Sequence, residues 1–231
     1  MSTVTETDAQ TRTAERTPSK KTVLMCRPEH FTVVYQINPW MDPAKPTNTA
    51  LAVAQWQTLH DTYVGLGFDV REPEHVNEGE GDFLLVGDVI LAGTGFRSDS
   101  SSHDELRRIT GREVVTLTLV NPSFYHLDTA IAVLDSRPGQ EHIAYLPSAF
   151  DESSLEILRE RYPDAFLVSD EDAAVLGLNS YSDGRNVVIA ARAKGFEQQL
   201  REAGYNPIGV DLSELLLGGG GVKCCTLELR R

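Results

Sequence analysis

The sequence predicts an α/β protein in which small mixed sheets carry helices on their outer side, built from one strand–strand–helix–strand unit used repeatedly. Two observations lead there. Short apolar runs come in pairs around Gly, Asp and Ser turns, at strand length and bounded by turn residues. Each pair is followed by an amphipathic helical stretch and a third apolar run, and this order recurs at intervals of about 40 residues, a spacing typical of repeat architectures.

Taken from the N-terminus, residues 1–21 hold almost no large apolar side chains and are rich in Ser, Thr, Glu, Arg and Lys. They are expected to be a disordered tail, with the folded domain spanning residues 22–231. A first, less complete copy of the unit follows: a strand over Thr22–Met25, a loop, a long helix over Thr47–Leu66 and a strand over Asp69–Arg71. The second copy has strands Phe83–Val86 and Val89–Ala92 around Gly87-Asp88, a helix Ser101–Ile109 and a strand Val114–Leu119. In the third, strands Asp128–Leu134 and His142–Tyr145 precede a helix Ser153–Tyr162 and a strand Ala165–Val168. The fourth runs through Ala174–Leu176, Asn186–Ile189, a helix Gly195–Ala203 and a strand Pro207–Asp211. A last strand, Val222–Leu229, has no helix and is expected to close the ring by pairing with the N-terminal copy.

Composition excludes several function classes. With 21 Lys and Arg against 34 Asp and Glu, the net charge of −13 argues against binding a phosphate backbone. The sequence has no apolar h-region like that of a signal peptide and no run of about 18 apolar residues to span a bilayer, so a cytoplasmic protein without membrane contact is expected. Three cysteines, Cys26, Cys224 and Cys225, mark a thiol protein rather than a disulfide scaffold. Neither paired CxxC motifs nor HxxxH spacing points to a metal, and the glycine run Gly218–Gly221 leads into Val-Lys-Cys-Cys without the GK[ST] ending of a phosphate loop.

Four motifs carry candidate chemistry. The C-terminal Gly218–Gly221 run lets the backbone approach a ligand and delivers Cys224 to the start of the last strand. A lone cysteine is more often a small buried hydrophobe, so the thiol needs a partner to count as a nucleophile. Ser123-Phe-Tyr-His126-Leu-Asp128 supplies one, placing a histidine at the head of a buried strand, where it could act as general acid and then as base. Asn77-Glu78-Gly-Glu80-Gly-Asp82 gathers carboxylates among glycines, a composition suited to a planar cation and to holding a histidine protonated. Gly93-Thr-Gly-Phe-Arg97 ends a glycine-rich strand in an arginine, a fork suited to a carboxylate.

In this order the four motifs resemble those of the pentein superfamily, which comprises dimethylarginine dimethylaminohydrolases, arginine deiminases and amidinotransferases, with the tandem cysteine pointing to the first branch. The resemblance implies an α/β propeller of strand–strand–helix–strand units around a pseudo-symmetry axis. It implies a hydrolase that cleaves a guanidino C–N bond, taking dimethylarginine to citrulline and dimethylamine through a thiouronium on the protein, without metal or organic cofactor. By the same resemblance Cys224 attacks the guanidinium carbon while Cys225 packs, and His126 protonates the departing amine and activates water. Asp82 binds the guanidinium, Arg97 the substrate carboxylate, and Asp128 is a further substrate-binding candidate. Relatives carry the acidic partner of the histidine three residues before the loop aspartate, where this chain has Gly79; Glu78 or Glu80 must take the role, with Glu78 preferred. The stretch Asn38–Asp42 resembles a segment that shapes the pocket in relatives.

The chain departs from the superfamily in unit count, four where relatives have five, and the absence falls between Gly67 and Glu78. An incomplete ring leaves a sheet edge open, which predicts a homodimer. Two other readings stay open: an arginine dihydrolase, deiminase or amidinotransferase using the same cysteine, and a guanidine-binding protein that has lost turnover with the missing unit.

Overall fold

The computed structural model describes residues 22–25, 27–29, 31–32, 43–45, 47–72, 74–216, 219–226 and 228. The expected tail, Cys26 and the Asn38–Asp42 stretch lie outside them. The chain divides into two compact units, Met1–Pro73 and Glu74–Arg231.

In the first unit, β1 (Thr22–Leu24) and β2 (Asp69–Arg71) pair in parallel, connected across α1 (Thr49–Gly65). Asn48 caps the helix, its Oδ1 accepting from the Leu51 amide at 2.9 Å. Gly67, at φ +81°, takes the left-handed turn that ends it. The apolar residues of α1 are spread around its circumference, and none of its residues is buried. Arg27 ties the strand end to the helix, pairing with Glu72 at 2.7 Å and lying 4.9 Å over the Trp56 ring.

The second unit contains three three-stranded modules of one pattern. In the first, β3 (Phe83–Val86) runs antiparallel to β4 (Val89–Thr94), and β5 (Glu113–Thr118) lies parallel to β4 after the crossover helix α2 (Ser101–Thr110). The second begins with a single helical turn, α3 (Leu127–Ala130), and continues with β6 (Ile131–Asp135) and β7 (His142–Tyr145) antiparallel. Helix α4 (Glu152–Arg161) then leads to β8 (Phe166–Leu167), parallel to β7. The third follows a short helix α5 (Asp170–Ala174), with β9 (Tyr181–Ser182) antiparallel to β10 (Asn186–Ala190), then α6 (Lys194–Glu202) and β11 (Asn206–Val210) parallel to β10. The opening strands are neighbours, β3 against β6 and β6 against β9.

One continuous core joins the modules. It includes Leu91 and Leu117 from the first, Leu134 and Ile143 from the second, and Ile189 and Phe196 from the third, all fully buried. Each such side chain contributes about 1.5–3 kcal/mol over its exposed state. His103 pins α2 to its sheet: buried, it meets Thr116 Oγ1 at 2.8 Å through Nδ1 and the Gly93 carbonyl at 3.2 Å through Nε2. Burial lowers its pKa, keeping the ring neutral. No helix of the described residues is long and apolar enough to cross a membrane.

Three expected elements differ. The strand expected over Asp128–Leu134 starts only at Ile131, because Leu127–Ala130 coil into α3 with His126 as its cap residue. A strand was expected over Ala174–Leu176, but that segment ends α5, whose signals are the Ser169 cap and three acidic residues in its first turn; Leu176 then turns at φ +56°. The final strand is not found where Cys224 lies: Lys223–Cys225 form a 3₁₀ turn capped by Val222, and no strand occurs among the described residues of that segment. Three modules are complete, while β1, α1 and β2 supply two strands of a fourth among the described residues.

Candidate functional site

The acidic loop, the His126 turn and the Cys224 turn assemble through contacts distant in sequence. Gly79–Gly81 form a 3₁₀ turn, with Gly79 at φ +54°, a left-handed conformation that favours glycine. The turn ends on Asp82, which is 1% exposed. One oxygen of Asp82 accepts from Ser98 Oγ at 2.6 Å and the other from the Leu127 amide at 3.0 Å, while its carbonyl accepts from the Gly93 amide at 2.8 Å. A Cβ on Gly93 would come within 2.9 Å of Leu127 Cβ, so the close approach requires glycine there. Asp82, expected to bind the guanidinium, is thus an interior carboxylate with both oxygens engaged, and it holds the residue next to His126.

Ser98 Oγ also accepts from the Glu78 amide at 3.0 Å, fixing the start of the acidic loop. From there Glu78 Oε2 meets His126 Nε2 at 2.5 Å, and its other oxygen lies 3.5 Å from Arg97 Nη1. Arg97 is half-exposed and stacks 4.9 Å over Tyr125, whose ring meets His126 edge-on with centroids 4.8 Å apart. Glu80 pairs with Lys223 Nζ at 2.6 Å, joining the acidic loop to the residue before Cys224.

Cys224 and Cys225 are both exposed, so the packing role expected of Cys225 does not hold. The Cys224 amide donates to Asn179 Oδ1 at 3.1 Å, and its thiol faces Asp128 Oδ2 at 3.8 Å. Partial covering of the sulfur, with the Asp128 charge adding to it, raises the thiol above its ordinary value. Asp128 is 5% exposed, and burial raises its carboxyl to about 6 against the pull of His126 and Lys223. Its Oδ1 has no hydrogen-bond partner, nor has the buried Ser180 hydroxyl. Both residues line a cleft of about 210 Å³ between the opening strands of the three modules, with Glu80 and Lys223 at its wall.

The site therefore gathers a thiol, a carboxylate that takes up a proton close to neutrality, and an imidazole held by a second carboxylate. Asn179, Ser98 and Tyr125 had no sequence signal that singled them out. Lys223 alone was marked by its place beside Cys224.

No protein-family model matches the chain. It is 44% identical over 270 residues to the N(G),N(G)-dimethylarginine dimethylaminohydrolase of Mycobacterium tuberculosis, covering 94% of this chain and 88% of that protein. It is 29% identical over 267 residues to the bifunctional arginine dihydrolase/ornithine cyclodeaminase ArgZ of Synechocystis sp., covering 90% of this chain and 37% of the longer relative. Both alignments run over more positions than the 231 residues of this chain, so each relative carries residues inside the aligned span that have no counterpart here. Among solved structures, the N-terminal domain of ArgZ covalently bound to a reaction intermediate superposes with a TM-score of 0.65 at 28% identity, over 89% of this chain and 96% of that one. An amidinotransferase of Microseira wollei from saxitoxin biosynthesis shares the fold, with a TM-score of 0.58 at 18% identity over 80% of this chain and 63% of that one. An identity of 44% across nearly the whole length makes the chain a member of the dimethylarginine dimethylaminohydrolase family, within the pentein superfamily of guanidine-modifying enzymes.

Proposed function

We propose that the chain hydrolyses the guanidino C–N bond of dimethylarginine, releasing citrulline and dimethylamine through a covalent thiouronium on Cys224. The observation that carries this is the Cys224 thiol 3.8 Å from a buried, under-bonded Asp128, in a site that also holds the His126–Glu78 pair. A guanidinium entering beside Asp128 gives Oδ1 the donor it lacks and brings a positive charge next to the sulfur. That charge favours the thiolate, so the thiol ionises with substrate bound. Asp128 thereby takes the guanidinium-binding role, and Asp82 the support of the histidine turn.

The thiolate attacks the guanidinium carbon, and the His126 imidazolium, stabilised by Glu78, gives its proton to the departing dimethylamine nitrogen. The C–N bond breaks and leaves the thiouronium. Neutral His126 then takes a proton from water as its oxygen attacks the same carbon; the C–S bond breaks as the remaining hydroxyl proton passes to the departing sulfur, returning the Cys224 thiol and leaving the urea of citrulline, and His126 gives up its proton to solvent. Arg97, half-exposed beside Glu78, is the cation for the substrate carboxylate.

The three modules and their neighbouring first strands support a propeller-like ring, and the unmatched residues of the relatives support one absent unit, between Gly67 and Glu78. A homodimer would cover the open edge. A cytoplasmic location belongs to the same proposal, and no helix of the described residues is long and apolar enough to cross a membrane.

The arginine dihydrolase relatives favour one second reading, with arginine as substrate. Incubating the chain and its Cys224→Ser variant with asymmetric dimethylarginine and with arginine, with products identified by mass spectrometry, tests both. Citrulline and dimethylamine from the parent alone are the expected result. Ornithine and ammonia from arginine would move the assignment to a dihydrolase. Binding without product, unchanged in the variant, would leave a guanidine-binding protein.

A further inference from the structure

Asn179 lies in the loop between α5 and β9 and is completely buried. Its Oδ1 accepts from the Cys224 amide at 3.1 Å, its Nδ2 donates to the Asp128 carbonyl at 3.2 Å, and its own carbonyl accepts from the Lys223 amide at 3.2 Å. One side chain thus joins the turn that carries the thiol to the turn that carries the carboxylate facing it. The glycine run is shaped to the same residue, since a Cβ on Gly221 would stand 2.7 Å from Asn179 Oδ1 and 3.1 Å from its Cβ. Gly221 needs no left-handed backbone, so the fit to Asn179 is what excludes a side chain there.

We infer that Asn179 is a positioning residue of the reaction, setting the Cys224 thiol against Asp128 and presenting an amide dipole to the thiolate. The inference rests on Cys224 being the nucleophile proposed above. An uncharged amide suits this place because it can serve as acceptor to one turn and donor to the other at once, with no charge added to a site that already holds Asp128. The amide also favours the charged forms of both Cys224 and Asp128, opposing the effect of burial on each. The charged groups around these two are His126, Lys223 and Asp82.

The test uses the full chain and its Asn179→Ala variant. The readouts are kcat and KM for asymmetric dimethylarginine and, without substrate, the pH profile of Cys224 alkylation by iodoacetamide, with Cys26 and Cys225 replaced by serine in both chains. A misplaced nucleophile costs about 10²-fold in rate, so kcat is expected to fall by that order with KM changed less than about threefold. The alkylation midpoint is expected to move up, because the amide that favours the charged sulfur is removed and the thiol is no longer held in place. Should Asn179→Ala fail to fold, Gly221→Ala presses on the same amide from the other side, and the same two shifts are expected. A folded variant with kcat and alkylation midpoint like the parent's would overturn the inference. A parent that turns over no guanidine would defeat the hydrolase reading alone, because the alkylation arm needs no substrate.

Discussion

Asp82 and Asp128 stand on either side of the turn that presents His126, and both are nearly closed off from water, at 1% and 5% exposure. Asp82 accepts a hydroxyl and a backbone amide, one on each oxygen, and it closes three segments around itself. Asp128 has the weak donor of a thiol on one oxygen and none on the other, and its carboxyl is raised to about 6. The difference teaches that burial alone does not assign a carboxylate its work. A buried charge with its bonds satisfied holds structure together, whereas one with an open oxygen costs stability and is poised for a ligand.

The largest expected effect is on Asp128. Asp128→Asn removes the anion that faces the thiol and, in the proposed reaction, the guanidinium, and kcat/KM is expected to fall by about 10²–10³, the scale for losing one directed electrostatic partner. Stability should move the other way. The folded carboxyl titrates near 6 and the unfolded one near its ordinary 3.8, so the folded state binds the extra proton between those values. Stability from this group is present below about pH 4 and is lost as pH rises through 6, by a total of about 3 kcal/mol. Urea denaturation at pH 4.5 and 7.5 should therefore show the variant gaining on the parent at the higher pH. An equal difference at both values would break the contrast between the two carboxylates.

Asp82→Ala comes next, with the opposite signature. It strands the Leu127 amide and the Ser98 hydroxyl inside the protein, each at about 1–3 kcal/mol, so a loss near 3 kcal/mol is expected in denaturant. Alkylation of Cys224 in the folded fraction should stay close to the parent's. If Asp82→Ala abolished binding of dimethylarginine with little loss of stability, Asp82 would be a substrate ligand after all.

The modules were legible because their information is local: Phe83–Val86 and Val89–Ala92 are two short apolar runs either side of Gly87, whose φ of +60° is what a tight turn asks of glycine. His126 was read as the head of a strand because Ser123–Thr129 alternates polar and apolar residues. What coils Leu127–Ala130 is the Asp82 carboxylate, 45 positions earlier. Asn179 left no trace for the same reason, since its side-chain partners lie 45 and 51 positions away. Motif order brought the acidic loop, His126 and Cys224 forward as candidates; the different bonding of Asp82 and Asp128 could not be read there, because it depends on which oxygen finds a donor in the folded chain.

The smallest expected effect makes Asp82 resemble its counterpart. Ser98 Oγ stands between the Asp82 carboxylate and the Glu78 amide, donating to one and accepting from the other. Ser98→Ala leaves an oxygen of Asp82 open and frees the loop end that holds Glu78 against His126. One hydrogen bond to a charged group is worth about 1.5–3 kcal/mol, and part of that is recovered if water enters the vacated space. A loss of about 1 kcal/mol by urea denaturation is therefore expected, well below that of Asp82→Ala. Because the second lost bond reaches Glu78, kcat should fall several-fold while KM holds, and the Cys224 alkylation midpoint should not move. An unchanged kcat would mean that Glu78 is held by His126 and Arg97 without help from Ser98, and that the structural and reactive carboxylates are independent of one another.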